Sequence, residues 1–379
     1  MIKRNILECM TLVGKAPSHY EGAKTYVSTG AVDCDHIDYK QTEQVTYDNR
    51  PSRANLSVTS GDILFAKMCG TKKTLRINDI MAKYLFSTGF CAVRANESVM
   101  IADLLYHLLS SEQFLTQKDQ NSSGATQKAI TNTGLKKITI QVPDLEEQRL
   151  LATKLDCIEQ MMAKRQIQIE YFDQLVKSRF IEMFGDPTYN PKGYKIKKLS
   201  QLGELNRGVS KARPRNSPEL LGGPYPLVQT GEVTASELYI DTYENTYSEK
   251  GLAQSRMWPK GTLCITIAAN IAQTAILNID ACFPDSVVGF IPGKEVTQIY
   301  MHYWFTFFQK ILEEQAPQVA QKNINLKILN DLDVMVPERT LQEQFEKLVN
   351  QTDKSKLAIQ KSLDKLEILK KSLMQKYFG

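Results

Sequence analysis

The stretch LVKSRFIEMFG at residues 175–185 returns as LKKSLMQKYFG at residues 369–379, with leucine, lysine, serine, phenylalanine and glycine all displaced by 194 positions. A repeat near half the chain length argues against one continuous core. Each copy must instead bury its own apolar face, and 379 residues are enough for two cores of ordinary size. The same displacement holds upstream. TQKAITNTGLKKITIQVP (126–143) answers AQKNINLKILNDLDVMVP (320–337), with Gln127 opposite Gln321, Lys128 opposite Lys322, Ile130 opposite Ile324 and Leu135 opposite Leu329. YVSTGAV (26–32) answers LVQTGEV (227–233), and SGDIL (60–64) answers KGTLC (260–264), at displacements of 201 and 200. Drift of this size is what loop insertions produce. The repeat therefore predicts a domain and a tail, twice: residues 1–143 and 144–185, then 186–337 and 338–379.

Each tail opens on a helix-start signal just after a proline. Asp144 is followed three residues later by Glu147, and Thr340 by Glu343. In the first tail Leu155, Met162, Ile169 and Val176 recur every seven residues, with Phe172 on the alternate seam position. In the second, Ile359, Leu363, Leu366, Leu369 and Leu373 form a similar stripe. Neither tail contains Pro or Gly before Gly185 or Gly379. Each is thus predicted as one helix of about 40 residues, about 60 Å long. A helix of that length needs a partner for its stripe, and the other tail is the economical one. Connectivity favours antiparallel pairing, because the first helix leads away from one domain and the second must return toward it. Arg165 and Arg179 interrupt the first seam.

The domains read as mixed α/β. ITIQV (138–142), LDVMV (332–336), GDILFAK (61–67) and GTLCITIA (261–268) have strand character, while IADLLYHLLSSEQFLTQ (101–117) and IYMHYWFTFFQKILEEQ (299–315) have helical apolar spacing. The fold class expected is α/β: two duplicated mixed α/β domains, each followed by a long α-helix, the helices forming an antiparallel coiled-coil spacer between them. His107 and His302, on apolar helices, read as core histidines. Only MIKRNILE precedes the first domain, a shorter lead than the second domain has, which predicts an abbreviated first strand.

Catalysis finds little support. Seven scattered cysteines without a C-x-x-C spacing argue for a reducing compartment and against structural zinc, and Cys34-Asp35-His36 reads as a polar turn. Glu8 breaks the N-terminal apolar run, and no run reaches the roughly 18 residues of a membrane helix, so a cytoplasmic protein with no membrane partner is expected. Gly-rich phosphate loops and nucleophile elbows are missing. DPTY (186–189) is similar to the D-P-P-Y loop of amino-methyltransferases, but Thr188 replaces a proline, no G-x-G loop precedes it, and its place after Gly185 fits a linker. Pro143-Asp144 and Pro284-Asp285 lack the D/E-x-K partner of a nuclease. No catalytic residue, metal or bound cofactor is expected.

Binding is better supported. Lys+Arg 47 against Asp+Glu 42 leaves a net +5, a mild excess that suits a polyanion. Lys67, Lys72, Lys73 and Arg76 cluster in KMCGTKKTLR of the first domain. The second opens on KIKK (195–198) and continues with Arg207, Lys211, Arg213 and Arg215 in NRGVSKARPRN. Such runs neutralise phosphates, and Gln127, Asn270, Gln273 and Gln321, with Lys128 and Lys322 beside the paired glutamines, supply groups able to read base edges.

An STG or QTG turn, then Q-K-x-I, a strand ending in V-P, and L-x-E-Q opening a long helix occur in that order in both copies; the last is Leu145-Glu146-Glu147-Gln148 and Leu341-Gln342-Glu343-Gln344. In that arrangement the chain resembles, over nearly all its length, the specificity subunit of type I restriction-modification systems. The resemblance implies that each domain is a target-recognition domain gripping one half of a bipartite site on double-stranded DNA and that the helices dock two modification subunits. It also implies S-adenosylmethionine in those methyltransferase subunits, with ATP and Mg2+ in partner restriction subunits that translocate and cut. The residues alone leave open a stand-alone two-domain DNA-binding regulator, or a coiled-coil scaffold that binds no nucleic acid.

Overall fold

The computed structural model describes residues 1–125, 127–267, 272–308, 311 and 324–378. Each copy builds two sheets, and their strand orders coincide. In the first copy the order is Met10–Val13, Phe90–Ala95, Ile63–Ala66, Thr74–Arg76; in the second it is Gly203–Arg207, Val287–Pro292, Leu263–Thr266, Thr274–Leu277, with Tyr239–Ile240 added at the edge. The other sheet runs Glu43–Thr46, Ala23–Val27, Leu85–Ser87, Ala54–Leu56 in one copy and Asn245–Tyr247, Leu221–Leu227, Ala281–Cys282, Met257–Trp258 in the other. In both, the middle pair is parallel.

Strand Ile63–Ala66 is buried along its whole length, and its period of two divides it between cores. Ile63 and Phe65 join a cluster with Leu104, Leu105 and Leu108, while Leu64 and Ala66 face a second cluster with Phe86 and Phe90. Leu263 and Ile265 against Cys264 repeat this division.

Three expectations about where elements begin and end need correction. The lead of the first domain is not abbreviated: Ile2–Asn5 pairs antiparallel with Thr139–Val142 just as Lys195–Lys198 pairs with Asp333–Val336, Ile2 lying opposite Val142 and Lys195 opposite Val336. Four residues suffice for that pairing. The apolar segment 101–117 is two helices, Ala102–Leu109 and Glu112–Gln120, because the Ser111 hydroxyl accepts from the Phe114 N–H and donates to the Leu108 carbonyl. In the counterpart, helix Gln298–Phe305 is followed by residues of which 309–310 and 312–315 lie outside the described residues. Thr340 is not a cap either. The second long helix already begins at Arg339, and the Glu343 carboxylate accepts from Arg339 Nε at 3.1 Å. Asp144 does cap the first, accepting from the Glu147 N–H at 2.9 Å.

The long helices are Leu145–Phe184 and Arg339–Phe378, 40 residues each. The chain divides into two compact units, Met1–Gln166 with Gln360–Gly379, and Ile167–Ile359, so each unit holds a segment of both helices. Within each unit the segments run antiparallel. In the first, Leu151, Ala152 and Leu155 share a core with Phe378, and Glu159 meets Lys370 at 2.6 Å. In the second, Phe180 and Phe184 pack on Phe345, and Asp173 meets Lys356 at 2.7 Å. That ion pair lies 14 residues further along the first helix and 14 residues back along the second.

Seam residues Leu155, Ile169, Val176 and Leu363 are buried, and Met162, Phe172, Ile359, Leu366 and Leu373 are half-buried. Leu369 is a correction. It is 47% exposed, because alternating steps of three and four from Leu363 and Leu366 reach Lys370. Lys370 takes the seam position with Glu159 as its partner, and Leu369, one residue earlier, points about 100° away.

Gln148, the last residue of the first L-x-E-Q motif, and Gln342, displaced from it by 194 positions and the second residue of the other motif, are fully buried and make one set of bonds twice. Gln148 accepts from the Ile101 N–H and donates to the carbonyls of Val99 and Pro143. Gln342 accepts from the Thr297 N–H and donates to those of Glu295 and Pro337. Each glutamine thus ties the first turn of a long helix to the loop before the domain helix. Loss of such an amide strands buried backbone groups at about 1–3 kcal/mol each. No described helix is long and apolar enough to cross a membrane.

Candidate nucleic-acid interface

In the second copy Arg207 lies opposite Val288, Thr266 opposite Val287, and Thr274 opposite Ile265. The strand ends at Arg207, Thr266, Thr274 and Val287 therefore lie at the same end of the sheet. A Cβ on Gly208 would stand 2.3 Å from the Pro284 oxygen and 2.4 Å from that of Phe283, so only glycine lets the strand end pass this close. The close passage gathers three guanidinium groups around Asp285. Arg207 Nε donates to its backbone oxygen, Arg215 pairs with its Oδ1, and Arg213 reaches its Oδ2 at 3.5 Å while donating to the Ser210 and Ala212 carbonyls. Planar guanidinium groups already oriented on a carboxylate are suited to exchange it for a phosphate. Lys211 is exposed and has no partner among the described residues. Gln273 is exposed, its backbone N–H held by Thr266 Oγ1 at 3.1 Å. Asn270, Gln321 and Lys322 lie outside the described residues.

At the corresponding end of the first sheet, Ala66 lies opposite Phe90 and Thr74 opposite Phe65, leaving 67–73 as the hairpin tip. The Lys67 carbonyl accepts from the Ile130 N–H and the Lys128 carbonyl from the Cys69 N–H, each at 2.9 Å. Lys67, Gln127 and Lys128 are thereby brought onto one platform. Lys72 is exposed beside a groove that Ser110, Glu112 and Lys370 also line, and Lys73 donates to the Thr29 carbonyl at 2.8 Å.

Arg76 does not join them. Its guanidinium turns to Asp103 at 2.9 Å and Asp156 at 2.6 Å and stacks over the Tyr106 ring, so its charge is engaged within the protein. Two of the three lysines of KIKK are engaged too: Lys197 pairs with Glu295 and Lys198 with Asp333.

Behind Arg76, fully buried His107 lies 2.9 Å from Asp156 and 3.4 Å from Glu159. Burial by itself raises the Glu159 carboxyl, but His107 and Lys370 outweigh it and bring the group down to about 2. Ligand-type atoms of His107, Asp156 and Glu159 lie within 4.8 Å of one another, yet Arg76 and Lys370 already counter both carboxylates. Buried His302, lowered to about 4 by burial, bonds Thr274 Oγ1 at 3.0 Å. Both histidines sit in the core.

Sequence reasoning missed Gln148, Gln342, Asp285 and Lys118. The glutamines carried a signal in the 194-residue displacement that relates them; a lone lysine in a polar helix carried none.

The family described as "Type I restriction modification DNA specificity domain" matches residues 21–171 and again 191–370. The chain is 22% identical over 328 residues to the type I restriction enzyme EcoBI specificity subunit of Escherichia coli, a match spanning 78% of this chain and 68% of that one. It is 22% identical to the putative MjaX specificity subunit of Methanocaldococcus jannaschii, spanning 72% and 65%, and 19% identical to the HindI specificity subunit of Haemophilus influenzae, spanning 79% and 82%. Among solved structures, the type I restriction-modification S subunit from M. genitalium aligns with a TM-score of 0.58 at 16% identity, covering 100% of this chain and 96% of that one. A chain of a type I R-M system solved for its complex assembly aligns at 0.62 and 21%, covering 99% and 97%. At such identities these two structures speak for the fold.

Proposed function

The chain belongs to the type I restriction modification DNA specificity family, which both of its copies match, and from that premise we propose how it reads DNA. It is a specificity subunit, the member of a type I restriction-modification system that recognises the DNA target. Each copy grips one half of a bipartite duplex site with the loops at one end of the sheet that holds Ile63–Ala66 or Leu263–Thr266, cations neutralising phosphates and amides reading bases. The antiparallel helices form the spacer and dock two modification subunits. Methylation of adenine then belongs to those S-adenosylmethionine-binding partners, and cutting to restriction subunits using ATP and Mg2+.

The observation that carries this reading is one sheet topology, repeated, whose corresponding ends bear basic loops of different sequence. Two similar domains on paired helices suit a duplex target approached from both halves. Selection of bound duplexes from a randomised pool tests it. Two short conserved blocks separated by a fixed unread gap are expected, and a single block, or no enrichment, overturns the bipartite reading. The purified chain alone is expected to transfer no methyl groups to DNA; incorporation of label by the chain alone would refute its non-catalytic role.

A further inference from the structure

A hairpin tip of seven residues is much longer than the two-residue turns that hold themselves rigid, and ordering each of its residues costs backbone entropy. Something must hold residues 67–73. From the last turn of helix Glu112–Gln120, the fully buried Lys118 side chain donates to the carbonyls of Met68 and Thr71 at 2.9 Å each, with Ala66 at 3.4 Å. Its neighbour Asp119 contributes opposite polarity. One carboxylate oxygen lies 3.4 Å from Lys118 Nζ, and the other accepts from the Gly70 N–H at 2.9 Å. Gly70 has φ +73, a conformation that favours glycine.

The carbonyls of the tip residues 68 and 71 and of strand residue 66 thus converge on one buried ammonium, while the Cys69 N–H is taken by the Lys128 carbonyl. Burying a charge is expensive, and an apolar side chain would fill the space at less cost. Three carbonyls converging on a single ammonium specify one loop shape, and that shape sets where Lys67, Lys72 and Lys73 stand, with Lys128 tied to it through the Cys69 N–H. We propose that Lys118, seconded by Asp119, is the positioning residue of the first copy's DNA-reading tip, setting sequence preference in one half of the target without touching DNA. This rests on the assignment of that sheet end to DNA.

The test uses the full-length chain and the randomised duplex pool. Lys118→Met is expected to erase the conserved block of one half, leave the other block intact and lower affinity about tenfold or more, the size expected for one base pair no longer read. The erased block should be the one that Lys72→Ala with Lys73→Ala weakens and that Gln273→Ala leaves alone. Unfolding would cost both blocks. Should Lys118→Met not fold, Asp119→Asn, at the rim, is expected to blur the same block and to speed amide exchange at Gly70. Retention of both blocks and full affinity in folded Lys118→Met, or an unchanged block despite faster Gly70 exchange in Asp119→Asn, overturns the positioning role. If the Lys72 and Lys73 changes leave both blocks and the affinity intact, the DNA assignment of this sheet end falls, and the proposal with it.

Discussion

At the corresponding end of the same sheet, the first copy carries lysines on hairpin tip 67–73, whereas the second has none in 267–273 and carries its cations in loop 208–217. The chemistry differs as well as the place. In the second copy guanidinium groups surround the Asp285 carboxylate; in the first, the tip's backbone is pinned from inside by Lys118 and its lysines face no carboxylate at hydrogen-bonding distance among the described residues. A duplicated sheet thus lets binding charge move from one loop to another without disturbing the core, because those loops contribute little to it. It also lets the two ends be organised differently, one by an exchangeable ion pair and one by a buried cation.

Charge removal probes that contrast most strongly. Lys211→Ala, Arg213→Ala and Arg215→Ala together are expected to weaken binding to all duplexes by on the order of tenfold to a hundredfold and to flatten the salt dependence by up to about 0.9 for each phosphate no longer neutralised. Titrations at several salt concentrations measure this. An unchanged slope would mean that loop 208–217 is only a solvated face.

A smaller effect separates the two kinds of end. Asp285→Asn removes the carboxylate that Arg213 and Arg215 share. Non-specific affinity is expected to rise severalfold and the salt slope to steepen, since the arginines no longer exchange one anion for another. Weaker binding would instead make Asp285 an organiser of the loop, as Lys118 is of the other tip.

Independence of the two ends can be tested through the helices. Seven residues inserted into each, in register, lengthen the spacer by about 10 Å at 1.5 Å per residue. The unread gap should then grow by roughly three base pairs, with both conserved blocks unchanged. A gap that stays the same refutes the helices as its ruler.

Acid should act in opposite directions on the two units. Glu159, held down to about 2 by His107 and Lys370 against the effect of burial, contributes stability that is present above its ordinary value of 4.5 and lost as pH falls toward 2. Asp353 in the second unit is instead raised, chiefly by burial, so protonating it relieves a cost. Glu159→Gln should lower stability at neutral pH and remove part of the loss between about pH 4.5 and 2. Urea unfolding across that range checks this; a parent and variant of equal pH dependence would leave Glu159 uncoupled.

Much of the fold was legible because its signals are local or repeated. Helix length followed from the absence of Pro and Gly, and strands such as Ile63–Ala66 from short apolar runs. Errors arose where neighbours along the chain compete. Ser110-Ser111 looked like part of one helix until the Ser111 hydroxyl was found capping a second, and Leu369 looked like seam until the rotation of a 40-residue helix placed Lys370 there instead. The site was less legible. Basic runs mark where cations are dense, which is a different property from where they are free.

The sequence by itself determined that this protein is double, that each half ends in a helix of about 60 Å, and which apolar runs build the sheets, since repeats, periodicity and helix breakers act through near neighbours. Tertiary structure alone decided which charges face outward. Arg76 is turned inward by Asp156, 80 residues away, and Arg215 is held at the sheet end by Asp285, 70 residues away. Lys118 acts on carbonyls about 50 residues back. An ionic side chain takes whichever partner folding brings within about 3 Å, and that choice leaves no periodic trace along the chain.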